Sequence, residues 1–412
     1  MLLVRPARAA LRSTTSRPLR YIPVRGFATS FSVLEEAKRT PLYDYHLSQG
    51  AKMVPFAGWS MPLSYGDVGQ ITAHNHVRSS AGLFDVSHML QHSFRGPGAQ
   101  TFLESLCPSS LSSLTPWSST LSVLLNETGG IVDDTIISKQ ASDSEFYVVT
   151  NAGRATEDRA YITGKLSEWT GEQVDWETMD GWGLVALQGP TAAEVLQALV
   201  SEGDLADLKF GKSGFYKIGR DNVKCHVARG GYTGEDGFEI SIPPEYTVQL
   251  TKEITANEKV MLIGLGARDS LRLEAGMCLY GHDLDESISP VEAGLTWVIG
   301  KDRRIPDSPN PFPGKSRILD EIASGPKKRR VGFEVSGAPA REGCRVLDST
   351  GQQQIGAITS GIPSPTTGKN IAMGYISSGY HKKGTEVLVE IRKKLREAVV
   401  RPMPFVPTKY FK

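Results

Sequence analysis

The chain has 412 residues, 40% of them hydrophobic, with 46 Lys and Arg against 45 Asp and Glu. That apolar fraction excludes a mainly disordered chain, and a net charge of +1 argues against a bulk nucleic-acid binder. Four cysteines, Cys107, Cys225, Cys278 and Cys344, stand too far apart for a disulfide framework or a paired metal-ligand motif.

The charge is unevenly spread. Residues 1–34 hold Arg5, Arg8, Arg12, Arg17, Arg20 and Arg25, interleaved with Ser and Thr and free of Lys, Asp and Glu. An Arg-rich, Ser-rich, acid-free leader predicts a mitochondrial presequence, with cleavage between about Ala28 and Val33. The remainder carries 40 basic and 45 acidic residues, a net charge of −5. No stretch approaches the ~18 consecutive apolar residues of a membrane span, so no stable membrane insertion is expected.

In chain order, the spacing predicts a helix over 41–49, a turn at Gly50 and a strand over 53–56. A polar segment over 66–80 carries His74 and His76, whose spacing would let them share a strand face, and a helix follows over 98–106. Two apolar runs, 121–125 and 131–137, flank Asn126-Glu-Thr-Gly-Gly130 and predict a hairpin. Strands over 145–151 and 183–187 and helices over 157–168 and 191–200 come next. Strands over 222–227 and 237–242 bracket a Gly-rich turn, and helices over 246–256 and 264–275 close this part. A Pro-rich, basic break spans 300–330; its clusters Lys301 to Arg304 and Lys327 to Arg330 suit an acidic partner or plain solvated loops. Short β-like runs over 331–335, 354–359, 371–376 and 385–391 then predict an all-β module of about 80 residues, such as a barrel.

Several signatures fail. No GxGxxG or GxSxG occurs, and the two Gly-Lys-Ser sequences at Gly211 and Gly314 lack the upstream glycine of a phosphate loop, having Ala206 and Pro309 there. Three constellations remain. Successive strand side chains alternate, so Val132, Asp134 and Ile136 share one face while Ile131, Asp133, Thr135 and Ile137 share the other. Either the aspartates sit at a solvated strand end, or one lies among apolar neighbours with a raised pKa. The run Gly230 to Ile240 places Tyr232 and Glu239 around four glycines, as a ligand-approach loop or as an acid-tipped hairpin. Arg268 and Arg272 lie one helical turn apart, suited to a ligand carboxylate or to Asp269 and Glu274.

Eight ordered blocks over about 370 residues add a family resemblance. They are Thr40-Pro-Leu-Tyr-Asp44, Phe56-Ala-Gly-Trp59, Leu83-Phe-Asp-Val-Ser-His-Met89 and Gly129-Gly-Ile-Val-Asp-Asp134. The others are Leu187-Gln-Gly-Pro190, Gly231-Tyr-Thr-Gly-Glu-Asp-Gly237, Ala267 through Gly276 and Met403-Pro-Phe-Val-Pro-Thr408. Together they closely resemble the mitochondrial aminomethyltransferase family, the T-proteins of the glycine cleavage system.

The resemblance implies an α+β fold of three domains around a central cavity, with discontinuous folate-binding domains and a C-terminal β-barrel. Its boundaries fall at 1–34 for the presequence, 35–300 for the folate-binding and catalytic region and 301–412 for linker and barrel. It implies transfer of the one-carbon unit from aminomethyl-dihydrolipoyl H-protein to tetrahydrofolate, giving 5,10-methylenetetrahydrofolate and ammonia, in the mitochondrial matrix and without a metal. The implied partners are the lipoylated H-protein, other glycine cleavage components and folate, with no nucleic acid.

By the same resemblance Asp134 is catalytic, Glu239 grips the pterin edge and Tyr232 packs beside it. Arg268 and Tyr410 contact the folate, with Asn151 and Trp297 as further contacts. The ending Lys409-Tyr410-Phe411 departs mildly from the family pattern. Relatives that serve iron–sulfur protein maturation carry a Lys-Gly-Cys-Tyr signature, which Gly231-Tyr-Thr-Gly-Glu235 lacks. Folate-dependent demethylating oxidases resemble the chain over only part of their length.

Overall fold

The computed structural model describes residues 37–306 and 311–412; the presequence expectation lies outside them. Four sheets organise these residues: a three-stranded sheet near the start, a six-stranded mixed sheet, a five-stranded antiparallel sheet and a closed six-stranded barrel. The expected α+β architecture and C-terminal barrel are both present.

The five-stranded sheet runs Ser119–Leu125, Ile131–Lys139, Glu145–Thr150, Leu90–Arg95 and Asp175–Thr178 in spatial order. Its first two strands are the hairpin read from sequence. The connection is fixed by Asn126, whose Oδ1 accepts from the amides of Thr128 (3.0 Å) and Gly130 (2.9 Å). The double glycine is required there: a Cβ on Gly130 would sit 1.7 Å from the Glu286 carbonyl oxygen. Helices Ala99–Leu106 and Ala155–Ser167 cover one face, contributing Phe102, Leu103 and Ile162 to a core with Phe94, Val132 and Val148.

The six-stranded sheet runs Ser213–Ile218, Val223–Arg229, Gly237–Ile242, Gly183–Gln188, Ala81–Asp85 and Val260–Leu262. Phe238 and Ile240 enter its core with Val185, Leu187 and Val227, so alternation turns Glu239 to the opposite face. Helix Leu265–Glu274 supplies Ala267 and Leu271 to a neighbouring core. Arg272, at its last turn, reaches the barrel by donating to Ser360 Oγ on strand Gln354–Pro363 (2.9 Å).

The barrel closes in the order Lys328–Val335, Asn370–Ser377, Gln354–Pro363, Arg345–Leu347, Glu386–Ile391 and Lys394–Arg401. The chain then returns to the body: the Phe405 amide bonds the Glu274 carbonyl (2.8 Å), and the Lys409 amide bonds that of Gly234 (2.8 Å).

Two expectations are corrected. His74 and His76 lie on helix Gln70–Ser79 instead of a strand, and His74 is buried against Ser270 (2.7 Å) and Glu274 (3.2 Å). The basic runs of the break are largely engaged. Arg303 is fully buried and donates to the Ser109 and Glu104 carbonyls, while Arg304 and Arg330 also bond backbone carbonyls. The break contains helix Lys315–Ser324, whose Ile318 and Ile322 pack with Leu125 and Ile131 beneath the hairpin.

Candidate active site

Asp133 and Asp134 point to opposite faces of strand Ile131–Lys139, as alternation requires. Asp133 is fully buried on the helix side. Asp134, on the other face, stays only half-buried. Asn151 joins the two. Its backbone N–H donates to Asp133 Oδ2 (2.8 Å), and its Nδ2 donates to Asp133 Oδ1 (2.9 Å) and Asp134 Oδ1 (2.8 Å). Asp134 Oδ2 takes part in no such bond among the described residues. Burial and the neighbouring Asp133 charge push the Asp134 carboxyl up to about 7, with Asn151 opposing the shift.

The glycine-rich loop builds the next wall. Gly231 takes a φ of +152°, and a Cβ there would lie 2.0 Å from Gln188 Oε1, so the chain passes where no side chain fits. This lets Tyr232 turn inward. Its hydroxyl donates to the Cys278 carbonyl, and the Arg268 guanidinium lies over its ring, 5.0 Å from the centroid. Asp134 and Arg268 both act electrostatically on Tyr232, and Arg268 acts in turn on Glu239.

Glu239 accepts no hydrogen bond among the described residues, and burial pushes its carboxyl above the usual range, with Arg268 opposing. The Arg268 guanidinium likewise makes no hydrogen bond within the described chain, and burial lowers its pKa. Arg272, its partner one turn on, is instead committed to Asp283 (2.7 Å) and Asp269 (2.9 Å). The two arginines therefore divide the alternatives open in the sequence, one held structurally and one free.

A cavity of about 970 Å³ opens between helix Leu265–Glu274 and barrel strand Gln354–Pro363. Tyr232, Arg268, Phe56 and Leu279 are among its walls; Asp134 and Glu239 are not, though Asp134 acts electrostatically on Tyr232 and Glu239 on Arg268. The structure thus draws Asp134, Asn151, Tyr232, Arg268 and Glu239 into one constellation from widely separated segments. The other two expected contacts stand apart. Tyr410 stacks on Phe210 (4.1 Å between centroids), where Arg78 and Glu235 act on its hydroxyl. Trp297 is 61% exposed. No hydrogen bond or ring contact among the described residues joins either one to Asp134, Arg268 or Glu239.

Sequence reasoning missed Asp283, which acts on both Asp134 and Tyr232, and Asp158, which lies beside Asp133. Neither belongs to a motif. Among the described residues no cluster of three His, Cys, Asp or Glu is placed to hold a metal ion, and no helix is long and apolar enough to cross a membrane.

The chain is similar to known proteins over most of its length. Residues 42–303 match the GCVT N-terminal domain, and residues 328–407 match the glycine cleavage T-protein C-terminal barrel domain. The chain is 51% identical to a probable mitochondrial aminomethyltransferase of Schizosaccharomyces pombe, covering 93% of this chain and 97% of that protein. It is 48% identical to the mitochondrial aminomethyltransferase of Pisum sativum, over 93% and 92% of the two chains. The crystal structure of glycine cleavage system aminomethyltransferase T from Bartonella henselae superposes with a TM-score of 0.83 at 38% identity, covering 91% of this chain and 100% of that one.

Fold and matches together define a folate-dependent transferase. More narrowly, the chain belongs to the glycine cleavage T-protein family, the aminomethyltransferases that carry out the folate-dependent step of glycine cleavage, and like the mitochondrial relatives named above it is mitochondrial.

Proposed function

We propose that the region bounded by Asp134, Tyr232, Arg268 and Glu239 receives tetrahydrofolate as co-substrate, with the amino edge of its pterin on Glu239 and its acidic part toward Arg268. There it accepts the one-carbon unit from the aminomethyl-dihydrolipoyl arm of the H-protein. The observation that carries this reading is the unsatisfied pair. The Glu239 carboxylate and the Arg268 guanidinium, close enough to act on each other electrostatically, make no side-chain hydrogen bond among the described residues. Buried polar groups left unpaired cost free energy, so a ligand offering donors to one and acceptors to the other is the natural complement. Asn151 contributes by fixing Asp134, and Tyr232 by shaping the wall beneath Arg268. Tyr410 and Trp297 would join from the tail and the barrel-side loop when the ligands are bound.

The reaction exchanges bonds at one carbon. Its bonds to sulfur and to the amine nitrogen break, and bonds to the two folate nitrogens form. The two folate N–H protons leave with the thiol and the ammonia, so no oxidant is needed. Asp134 does not attack. As the anion, its carboxylate orients the reacting nitrogens and stabilises the positive charge that develops on the transferring carbon. Walls of protein around the site limit loss of the reactive carbon to water.

On this reading the folate-binding region spans 35–300, the linker and barrel 301–412, and the lipoylated H-protein is the delivering partner within the mitochondrial matrix. The test is an ammonia-release assay with aminomethylated H-protein, with and without tetrahydrofolate. Folate should stimulate release, and folded protein showing no stimulation would overturn the assignment.

A further inference from the structure

Behind Asp134 lies a chain of buried polar groups that the proposed reaction does not use. It begins at Trp176, whose indole Nε1 donates to His92 Nδ1 (3.1 Å). Burial and nearby Arg159 push the His92 pKa down to about 3, so its ring is neutral and its single proton sits on Nε2. That nitrogen lies 3.1 Å from Thr150 Oγ1 and donates to it. Thr150 must therefore direct its own hydrogen elsewhere, and the Asp158 carboxylate stands beside it.

Asp158 projects from helix Ala155–Ser167 and has no exposed surface. Neither of its oxygens finds a donor at full hydrogen-bond geometry among the described residues, although Thr150 and Asp133 adjoin it closely enough to govern its titration. On its other side, Asp133 accepts both N–H groups of Asn151, and Asn151 Nδ2 continues to Asp134. The sequence Trp176, His92, Thr150, Asp158, Asp133, Asn151, Asp134 is thus one line of neighbouring polar groups, hydrogen-bonded at both ends and joined through Asp158 by proximity to Thr150 and Asp133.

Two adjoining carboxylates in a dry site cannot both be ionised. We propose that Asp158 is a positioning residue: it shares one proton with Asp133 and thereby orients Asn151 and sets the charge that Asp134 meets. This rests on the role given to Asp134 above. The other groups facing the line are few. Arg154 and Glu157 act on Asp158 with opposite signs, and Arg154 is bound to Glu286 (2.5 Å) and the Val132 carbonyl (3.1 Å). Tyr280 adjoins Asp133, while Asp283, Tyr232 and Cys278 face Asp134.

The arrangement makes a prediction of sign that a merely structural role would not. In Asp158→Asn the shared proton is lost and the full charge falls on Asp133, next to Asp134, so the Asp134 midpoint should rise by about one pH unit. In Asp133→Asn that neighbouring charge is gone, and the midpoint should fall by about as much. Thr150→Val withdraws the donor from Asp158, moves the proton onto it and should raise the midpoint; Thr150→Ser should restore it.

The measurement is the carboxyl carbon-13 titration of the full chain labelled at aspartate, with the Asp134 signal identified by its loss in Asp134→Asn. Shifts of opposite sign for Asp158→Asn and Asp133→Asn establish the shared proton, and an unmoved midpoint or shifts of one sign overturn it. If Asp158→Asn does not fold, the Val and Ser variants of Thr150 decide the matter in the same way. Full turnover in Asp134→Asn would instead sink the catalytic role of Asp134, independently of the titration.

Discussion

Two buried acidic sites in this molecule behave in opposite ways. At the end of helix Leu265–Glu274, Glu274 is wholly enclosed and fully partnered: Arg78 (2.7 Å), His74 (3.2 Å), Ser364 Oγ (2.5 Å) and both the amide (3.0 Å) and hydroxyl (2.7 Å) of Thr366. Burial works to raise its pKa, but the hydrogen bonds from His74, Ser364 and Thr366 outweigh it and hold the carboxyl near 2. On strand Ile131–Lys139 the balance is reversed. Asp134 has one amide donor, a charged neighbour and an open oxygen, and its carboxyl rises to about 7. Depth in the protein does not separate the two sites; the supply of donors does. A satisfied carboxylate ties helix, barrel loop and Arg78 together, whereas an unsatisfied one remains available for chemistry.

The largest expected effect lies at the unsatisfied site. Asp134→Asn keeps the shape and the contact to Asn151 but removes the charge, and turnover should fall by about a thousandfold, on the order of 4 kcal/mol of transition-state stabilisation. Folate affinity should change little, because Glu239 and Arg268 are untouched. A drop of less than tenfold in the coupled assay would show that the raised pKa at Asp134 has no catalytic meaning.

At the satisfied site the same isosteric change should act on stability alone. Glu274→Gln leaves Arg78 and His74 facing a neutral amide, and denaturant unfolding at pH 7 should register a loss of about 3 kcal/mol. The sign follows from the depressed pKa. Stability from Glu274 is complete above its ordinary value of 4.5 and drains away as pH falls toward 2. The variant and the parent should therefore converge in acid; a gap that persists undiminished at pH 2 would locate the defect in packing. Glu239→Gln is intermediate: KM for tetrahydrofolate should rise about tenfold, roughly 1.4 kcal/mol, with little change in kcat. An equal loss in kcat would place Glu239 in the chemical step.

How much of this contrast was legible in the sequence depends on which physical signal each part carries. The Asp133-Asp134 hairpin was readable, because strand alternation and a Gly-Gly turn are local properties; the turn and the opposed aspartates are kept, but a bulge at Val132 breaks the alternation, putting Val132 in one core with Ile137, and Ile131 in another. The opposed placement of Glu239 against Phe238 and Ile240 was readable for the same reason. Helix Gln70–Ser79 was not, since it buries His74 with Ala73 and Val77 and shows no apolar stripe. Strand Trp59–Tyr65 was hidden by Pro62. It tolerates that proline because only Trp59 and Ser60 pair with the short strand Lys38–Arg39 on that side.

The family resemblance supplied the roles of Asp134, Glu239 and Arg268. Neither pattern nor resemblance supplied their surroundings. Asp158 reads as one more charge on an exposed helix, and only the packing of helix Ala155–Ser167 on the sheet puts it against Asp133. Likewise nothing local distinguishes Arg272, which the barrel claims through Ser360, from Arg268, which it leaves free.

The smallest effect is also the most discriminating. If Asp134 is held against its own ionisation, removing the charge should stabilise the fold even as it abolishes function. The folded pKa, about 7, lies above the ordinary value of 3.8, so ionisation costs folding free energy that appears as pH rises past about 4 and levels off above about 7. Asp134 is only half-buried, which reduces the full linkage, and Asp134→Asn should gain about 1 kcal/mol at pH 8 and nothing at pH 4. Glu274→Gln should show the reverse, a loss at pH 8 that shrinks only in strong acid. Denaturant midpoints of the two variants measured at the same three pH values set these slopes side by side. Should Asp134→Asn destabilise the protein at pH 8, Asp134 would be a second Glu274, a carboxylate kept for its partners, and the contrast between the two sites would collapse.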